Sequence, residues 1–321
     1  MQETAAQQPL LHRAMPVFLY IQLTMTSRPL AGLDRGVRPA TSVRRNRVVR
    51  SVTVESAWTI TRVGDEESPL VVHVPHAGTW LPDPERGQLL LDDEELDIEL
   101  KQMTDWFTDG LAFDGLRGAE VSAAVFANRA SRLLIDPERF VDDSEAMLAV
   151  GMGAVYQSTS DQRPLRCPDP DRDDRLLDRW FHPYAAALSD LVSTTLARCG
   201  RAVLVDLHSY PSKPLPYELD GEAPRPGVCI GTDAFHTSEH LTSAAVESMS
   251  GSEWKVGLNT PFVGTYVPLD FFGQVPEVQS VMVEIRRDLY QHEPGGALHQ
   301  GYGALVEHLS VLFRELALGT R

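Results

Sequence analysis

Hydrophobic positions along the chain switch between two periods, and the switching predicts an α/β protein. Alternation over residues 57–63 and an apolar run over residues 69–74 predict two strands, the second buried and running into Pro75, His76, Ala77 and Gly78. From Asp92 to Phe113, Leu96, Leu100, Met103, Phe107 and Leu111 recur at helical spacing. Residues 121–126 and 133–135 read as strands. Residues 173–199 read as a long helix closed by Gly200, with Pro183 as a kink or as its real start. Residues 202–205 form a buried strand that ends in Asp206, Leu207, His208 and Ser209. A strand over 228–230, a helix over 238–249, a strand over 281–285 and an amphipathic helix over 297–316 follow. Strands alternating with helices predict a mostly parallel sheet covered on both faces.

The first fifty residues break this pattern. They hold eight arginines and two acids, so residues 1–51 are expected to be a disordered extension or to precede a later start such as Met25. Residues 52–321 are expected to form a single α/β domain. The whole 321-residue chain carries a net charge of −16, and the part beyond residue 50 is more acidic still. An acidic body repels phosphates, which argues against nucleic-acid binding. The sequence lacks the run of about 18 apolar residues that a spanning helix needs, so no membrane partner is expected and the cytoplasm is the expected location. Cys167, Cys199 and Cys229 are spaced neither for a thiolate metal site nor for a disulfide framework.

In open α/β sheets ligands bind beyond the carboxyl ends of strands. Four polar segments follow apolar runs in this way: His76, Asp136 to Arg139, Asp206 to Ser209, and Glu284 to Arg287. Imidazoles with a carboxylate suit Zn²⁺ with an open position for water, and a further carboxylate can accept the water's proton. A single histidine at a strand end is more often structural; the joint placement carries the metal reading. HExxH does not occur, and His76 begins no HxxE, since Thr79 stands three residues after it. Without GxSxG, Ser209 is not read as a nucleophile. His236 and His240 have helical metal-pair spacing, but a cap at Thr237 or Ser238 puts His236 before the helix. His73 points opposite to Val72 and Val74, as a core histidine or as an outer partner of the site.

The segments Ser68 to Thr79 with its Pro75, His76, Ala77 and Gly78, then Thr104, Asp105 and Trp106, Ser131 to Asp136 with Arg139, Asp206 to Ser209, and Glu284 with Arg286 resemble, in that order, the N-formylglutamate amidohydrolase (deformylase) family over roughly residues 55–295. The resemblance implies a three-layer α/β/α sandwich around a mostly parallel mixed sheet, similar to the zinc-dependent exopeptidases. It also implies one zinc ion, a small anionic amide substrate and a place in amino-acid catabolism, histidine degradation in the named case.

Carried over by residue, the resemblance makes His76 and His208 zinc ligands with Asp105 as the third. On one continuous helix Asp105 would lie opposite Leu96 on the solvent side; if Thr104 caps a new helix, Asp105 faces a cleft. Asp206, on the same strand face as His208, either orients that histidine or is itself the ligand, and Ser209 is an outer partner. Glu284 is the general base, with Arg286 beside it, unless Glu284 only pairs with Arg286 or Arg132. Arg132 and Arg139 suit a substrate carboxylate, with Asn259, Gly264 and Tyr266 as further substrate contacts. Two departures weaken N-formylglutamate as the specific substrate: Glu138 stands where the family has asparagine, and Pro261 and Val263 stand where characterised deformylases tend to be basic. The alternatives are a carboxypeptidase-like peptidase or another N-acyl amino acid deacylase, and a metal-free binding module on the same fold.

Overall fold

The computed structural model describes residues 56–64 and 67–319; the expectations for residues 1–51 lie outside the described residues. In chain order the elements are β1 (Trp58–Val63), β2 (Leu70–Val74), α1 (Asp83–Arg86), α2 (Asp93–Met103), α3 (Thr108–Ala119), β3 (Ala123–Asn128), α4 (Pro170–Leu176), α5 (His182–Cys199), β4 (Ala202–Tyr210), β5 (Val228–Gly231), α6 (Glu239–Met249), β6 (Val256–Leu258), β7 (Val278–Arg286) and α7 (Gly301–Leu318). The seven strands form one sheet in the order β1-β3-β2-β4-β7-β5-β6. β2 pairs parallel with β3 and β4, and β4 with β7; β1 with β3 and β5 with β7 are antiparallel. The sheet is therefore mixed and mostly parallel, as expected.

Side-chain alternation divides the central strands between two cores. Leu70, Val72 and Val74 of β2, Val203, Val205 and Leu207 of β4, and Val281, Val283 and Ile285 of β7 pack with α3, α6 and α7. Val71, Leu204 and Val278 face the other side, against Tyr184, Leu188, Leu191 and Val192 of α5. Since side chains alternate strictly, His73, Asp206, His208 and Glu284 all project to the α5 side. In the parallel register His73 is opposite Asp206, and His208 is opposite Glu284. The apolar alternation that builds one layer thus gathers four titratable groups in the other.

Three expectations need correction. The segment 92–113 is two helices: α2 ends at Thr104, which has extended backbone, and α3 starts after Phe107 in the left-handed region. Residues 133–135 are buried but form no strand. Ser131 accepts from Leu133 N through its hydroxyl and from Leu134 N through its carbonyl, which closes a turn instead. The long helix runs as α4 into α5 through a π-helical stretch, Leu177–Phe181, directly before Pro183; a proline lacks the N–H that a regular turn uses. Gly200 ends α5 in the left-handed conformation, as expected. Among the described residues no helix is long and apolar enough to cross a membrane.

Candidate metal centre

His76 stands in the loop that leaves β2. That loop lies directly on the chain after β3: Trp80 N donates to Arg129 O (3.0 Å) and Ser131 N to Trp80 O (2.9 Å). The close approach demands a glycine, because a Cβ at Gly78 would meet Arg129 C at 2.2 Å and its oxygen at 2.3 Å. Gly78→Ala is expected to cost about 3 kcal/mol of folding stability, the upper end for overpacking, read as a lower urea midpoint at unchanged m-value.

Asp105 lies in the break between α2 and α3. Its N–H donates to His76 O (3.0 Å), and its carbonyl accepts from the Thr108 hydroxyl (2.8 Å). Neither of the two helical placements considered for it from sequence applies. The broken helix carries Asp105 inward, where it is buried, and ties its backbone to that of His76.

Three donor atoms converge. His76 Nδ1 and His208 Nδ1 are 3.2 Å apart, and Asp105 Oδ2 is 3.2 Å from His208 Nδ1 and 3.8 Å from His76 Nδ1. Ligands placed tetrahedrally about 2.0–2.1 Å from a zinc ion stand about 3.4 Å from one another, so spacing and donor types match such an ion. Behind the imidazoles, His76 Nε2 meets Asp136 Oδ1 at 2.9 Å, and His208 Nε2 lies 3.1 Å from Asp206 Oδ1 and 3.3 Å from Glu138 Oε2. A carboxylate at Nε2 favours the tautomer whose Nδ1 lone pair is free for a metal.

The electrostatics agree. Burial, helped by Arg132, lowers the His76 pKa to about 4, so this imidazole is neutral. Burial opposes charge on His208 too, yet Glu138, Asp206 and Asp105 outweigh it and hold the pKa well above the ordinary value. The space between these groups stabilises a cation. Burial also raises Asp105, but the hydrogen bond to His208 and the charge of Arg287 prevail and keep it ionised.

Glu284, opposite His208 in the sheet, has its Oε2 buried without a hydrogen-bond partner. Burial, first, and the charge of Asp105 raise its pKa to about 8, against the opposing effect of His208. The structure offers no pairing of Glu284 with Arg286 or Arg132.

Other expected residues are placed unequally. Asp206 accepts from Tyr266 N (3.1 Å) and meets His73 Nδ1 at 2.9 Å, while His73 Nε2 meets Tyr184 OH at 2.6 Å. His73 is thus an outer partner, and the Tyr266 ring lies 5.0 Å from it. Ser209 N donates to Asp105 Oδ2 (3.1 Å). Arg132 binds Asp136 Oδ2 (2.7 Å) and accompanies Tyr156 OH. Arg139 Nε is 3.4 Å from the same oxygen and is buried with no hydrogen-bond partner.

Arg286 does not join this group, since its guanidinium is taken by Asp288 (2.7 Å) and the Arg225 carbonyl (2.6 Å). Asn259 closes a turn with Thr232 through both amide atoms, and Gly264 adopts φ +93° in the following segment. His236 is structural, with Nδ1 on Val278 O and Nε2 accepting from Gly273 N. Sequence reasoning missed Arg287, whose Nη2 reaches Asp105 Oδ1 at 2.8 Å. Strand alternation from Glu284 argued against it, but β7 ends at Arg286 and a short 3₁₀ turn, Arg287–Leu289, redirects the side chain.

Among solved structures, the chain is similar to the crystal structure of N-formylglutamate amidohydrolase from Ralstonia eutropha JMP134, with TM-score 0.70, 23% identity, and coverage of 81% of this chain and 97% of that one. It is also similar to gene product Atu2144 from Agrobacterium tumefaciens, with TM-score 0.57, 18% identity, and coverage of 81% and 93%. At these identities the likeness concerns the fold. A comparison with curated proteins finds no match. The profile of the N-formylglutamate amidohydrolase family matches residues 68–291, a span that includes every residue of the cluster described above. The chain therefore belongs to the N-formylglutamate amidohydrolase family.

Proposed function

We propose that this chain is a zinc-dependent amidohydrolase that cleaves the amide bond of a small N-acyl amino acid, with N-formyl-L-glutamate as the named case. The observation that carries the reading is the convergence of His76 Nδ1, Asp105 Oδ2 and His208 Nδ1 beside the unpartnered carboxylate of Glu284. His76, Asp105 and His208 would hold the ion, which would supply Lewis acidity toward the amide carbonyl and the attacking water.

The remaining steps belong to the protein. Glu284 Oε2, having no internal partner, accepts a proton from the attacking water and returns it to the departing nitrogen. Its raised pKa suits it to both halves of that exchange, because the group can give the proton back near neutral pH. Asp136 and Asp206 fix the ring orientation of His76 and His208. Arg132 and Arg139 both lie against one carboxylate, Asp136, at the edge of the cluster. The half-buried guanidinium of Arg139 is the group that meets the substrate carboxylate. Tyr266, beside His73, borders the same space. The three free cysteines suit a reducing cytoplasm.

A panel of N-formyl, N-acetyl and N-carbamoyl amino acids and short peptides, assayed with added zinc, tests the reading. Turnover is expected for an N-formyl amino acid bearing a free carboxylate and not for its amide. Cleavage of peptides alone would replace the deacylase by a peptidase, and no turnover of any member would remove the proposal.

A further inference from the structure

Arg287 is 4% exposed, and its guanidinium serves acceptors on three residues from two separate parts of the chain. Nη1 donates to Gln102 O in the last turn of α2 (2.5 Å), Nη2 to Asp105 Oδ1 (2.8 Å) and to Ser209 O (3.1 Å), and Nε to Ser209 Oγ (3.2 Å). Asp105 consequently has two different ends. Oδ1 faces the guanidinium, whereas Oδ2 accepts from Ser209 N and faces the two Nδ1 atoms.

The difference matters for a metal ligand. A carboxylate free to rotate can present both oxygens to one ion and fill the position that a hydrolytic site must keep open for water. A charge-assisted bond from a planar, buried donor opposes that rotation more strongly than a neutral contact would. Arg287 also ties the break after α2, which carries Asp105, to Ser209, the neighbour of His208. One side chain therefore sets the spacing between two of the three donors.

We propose that Arg287 is a positioning residue that confines Asp105 to a single coordinating oxygen, Oδ2, and so sets the affinity of the site and keeps one position open. This inference rests on the metal reading of the cluster. Arg287 itself touches neither ion nor substrate.

The test uses the full-length protein as wild type, Arg287→Lys, Arg287→Ala and His76→Ala. Zinc dissociation constants are measured by competition with a chromophoric chelator, and thermal midpoints are measured on the metal-free proteins. Arg287→Lys keeps a buried cation but not the planar fork, and is expected to weaken zinc about 10- to 100-fold, as loss of an outer partner does. Millimolar guanidinium should restore affinity to Arg287→Ala and leave Arg287→Lys unchanged. A purely structural role predicts the opposite pattern, with a lower metal-free midpoint and an unaltered zinc constant, and that result would overturn the inference. Should Arg287→Ala fail to fold, the zinc constant of Arg287→Lys decides alone. If His76→Ala loses zinc while Arg287→Lys binds like wild type, the positioning role fails and the metal site stands; if wild type itself does not bind zinc, both fail.

Discussion

Glu284→Gln is expected to lower kcat by about 10²–10⁴-fold, the usual contribution of a positioned general acid–base group, while zinc content stays at the wild-type level. The substitution keeps the size of the side chain, and among the described residues Glu284 belongs to no group of converging ligand atoms. A drop in zinc content together with kcat would make Glu284 a ligand, and an active variant would remove it from the mechanism. The raised pKa adds a signed prediction for the metal-free protein. Burial lifts the folded pKa from the ordinary value to about 8, so the stability tied to the neutral carboxyl is fully present below about pH 4.5 and is lost as pH rises through 8. Glu284→Gln cannot ionise and should lack that loss. Denaturant titrations of both proteins between pH 5 and 9 should therefore diverge in favour of the variant as pH rises.

His76→Ala and His208→Ala are each expected to weaken zinc by more than about 100-fold, beyond the range for an outer partner, and to abolish turnover. The two should differ in the absence of metal. His76 is neutral in the fold, whereas His208 carries a positive charge that offsets Glu138, Asp206 and Asp105. Its folded pKa is raised, so its stabilising contribution is complete below about pH 6.5 and is lost only as pH rises through that higher folded value. At neutral pH, His208→Ala should accordingly unfold more readily than His76→Ala when both are metal-free. Chelator competition and thermal melts on both variants check this, and equal melts would contradict the charge assigned to His208.

How much of the site was legible follows from which residues obey a periodic rule. Asp206, His208 and Glu284 obey the strand period, so the apolar run over residues 202–205 was enough to predict that polar groups would appear together beyond it. β4 in fact continues to Tyr210, which places His208 inside the strand but does not change its face. Asp105 obeys no period. The extended backbone at Thr104 and the left-handed Phe107 break a stretch whose apolar spacing reads as one helix, and tertiary packing decides that break.

The short run 133–135 failed for another reason. Three buried residues cannot distinguish a strand from a turn, and the Ser131 hydroxyl supplied the turn. Glu138 stood out in the sequence only as an unusual residue; its place between the Nε2 atoms of His76 (3.7 Å) and His208 (3.3 Å) comes from the fold. Arg286 and Arg287 show the limit of counting residues along a strand. The expected arginine pairs with Asp288 just outside the cluster, and the next one, turned inward where the strand stops, holds Asp105.

The most direct measurement is formate release from N-formyl-L-glutamate by protein stripped with chelator, before and after one equivalent of zinc. The account predicts no activity in the stripped protein, recovery that saturates at one zinc per chain, and no recovery in His208→Ala. Equal activity before and after zinc, or full recovery in His208→Ala, would contradict it.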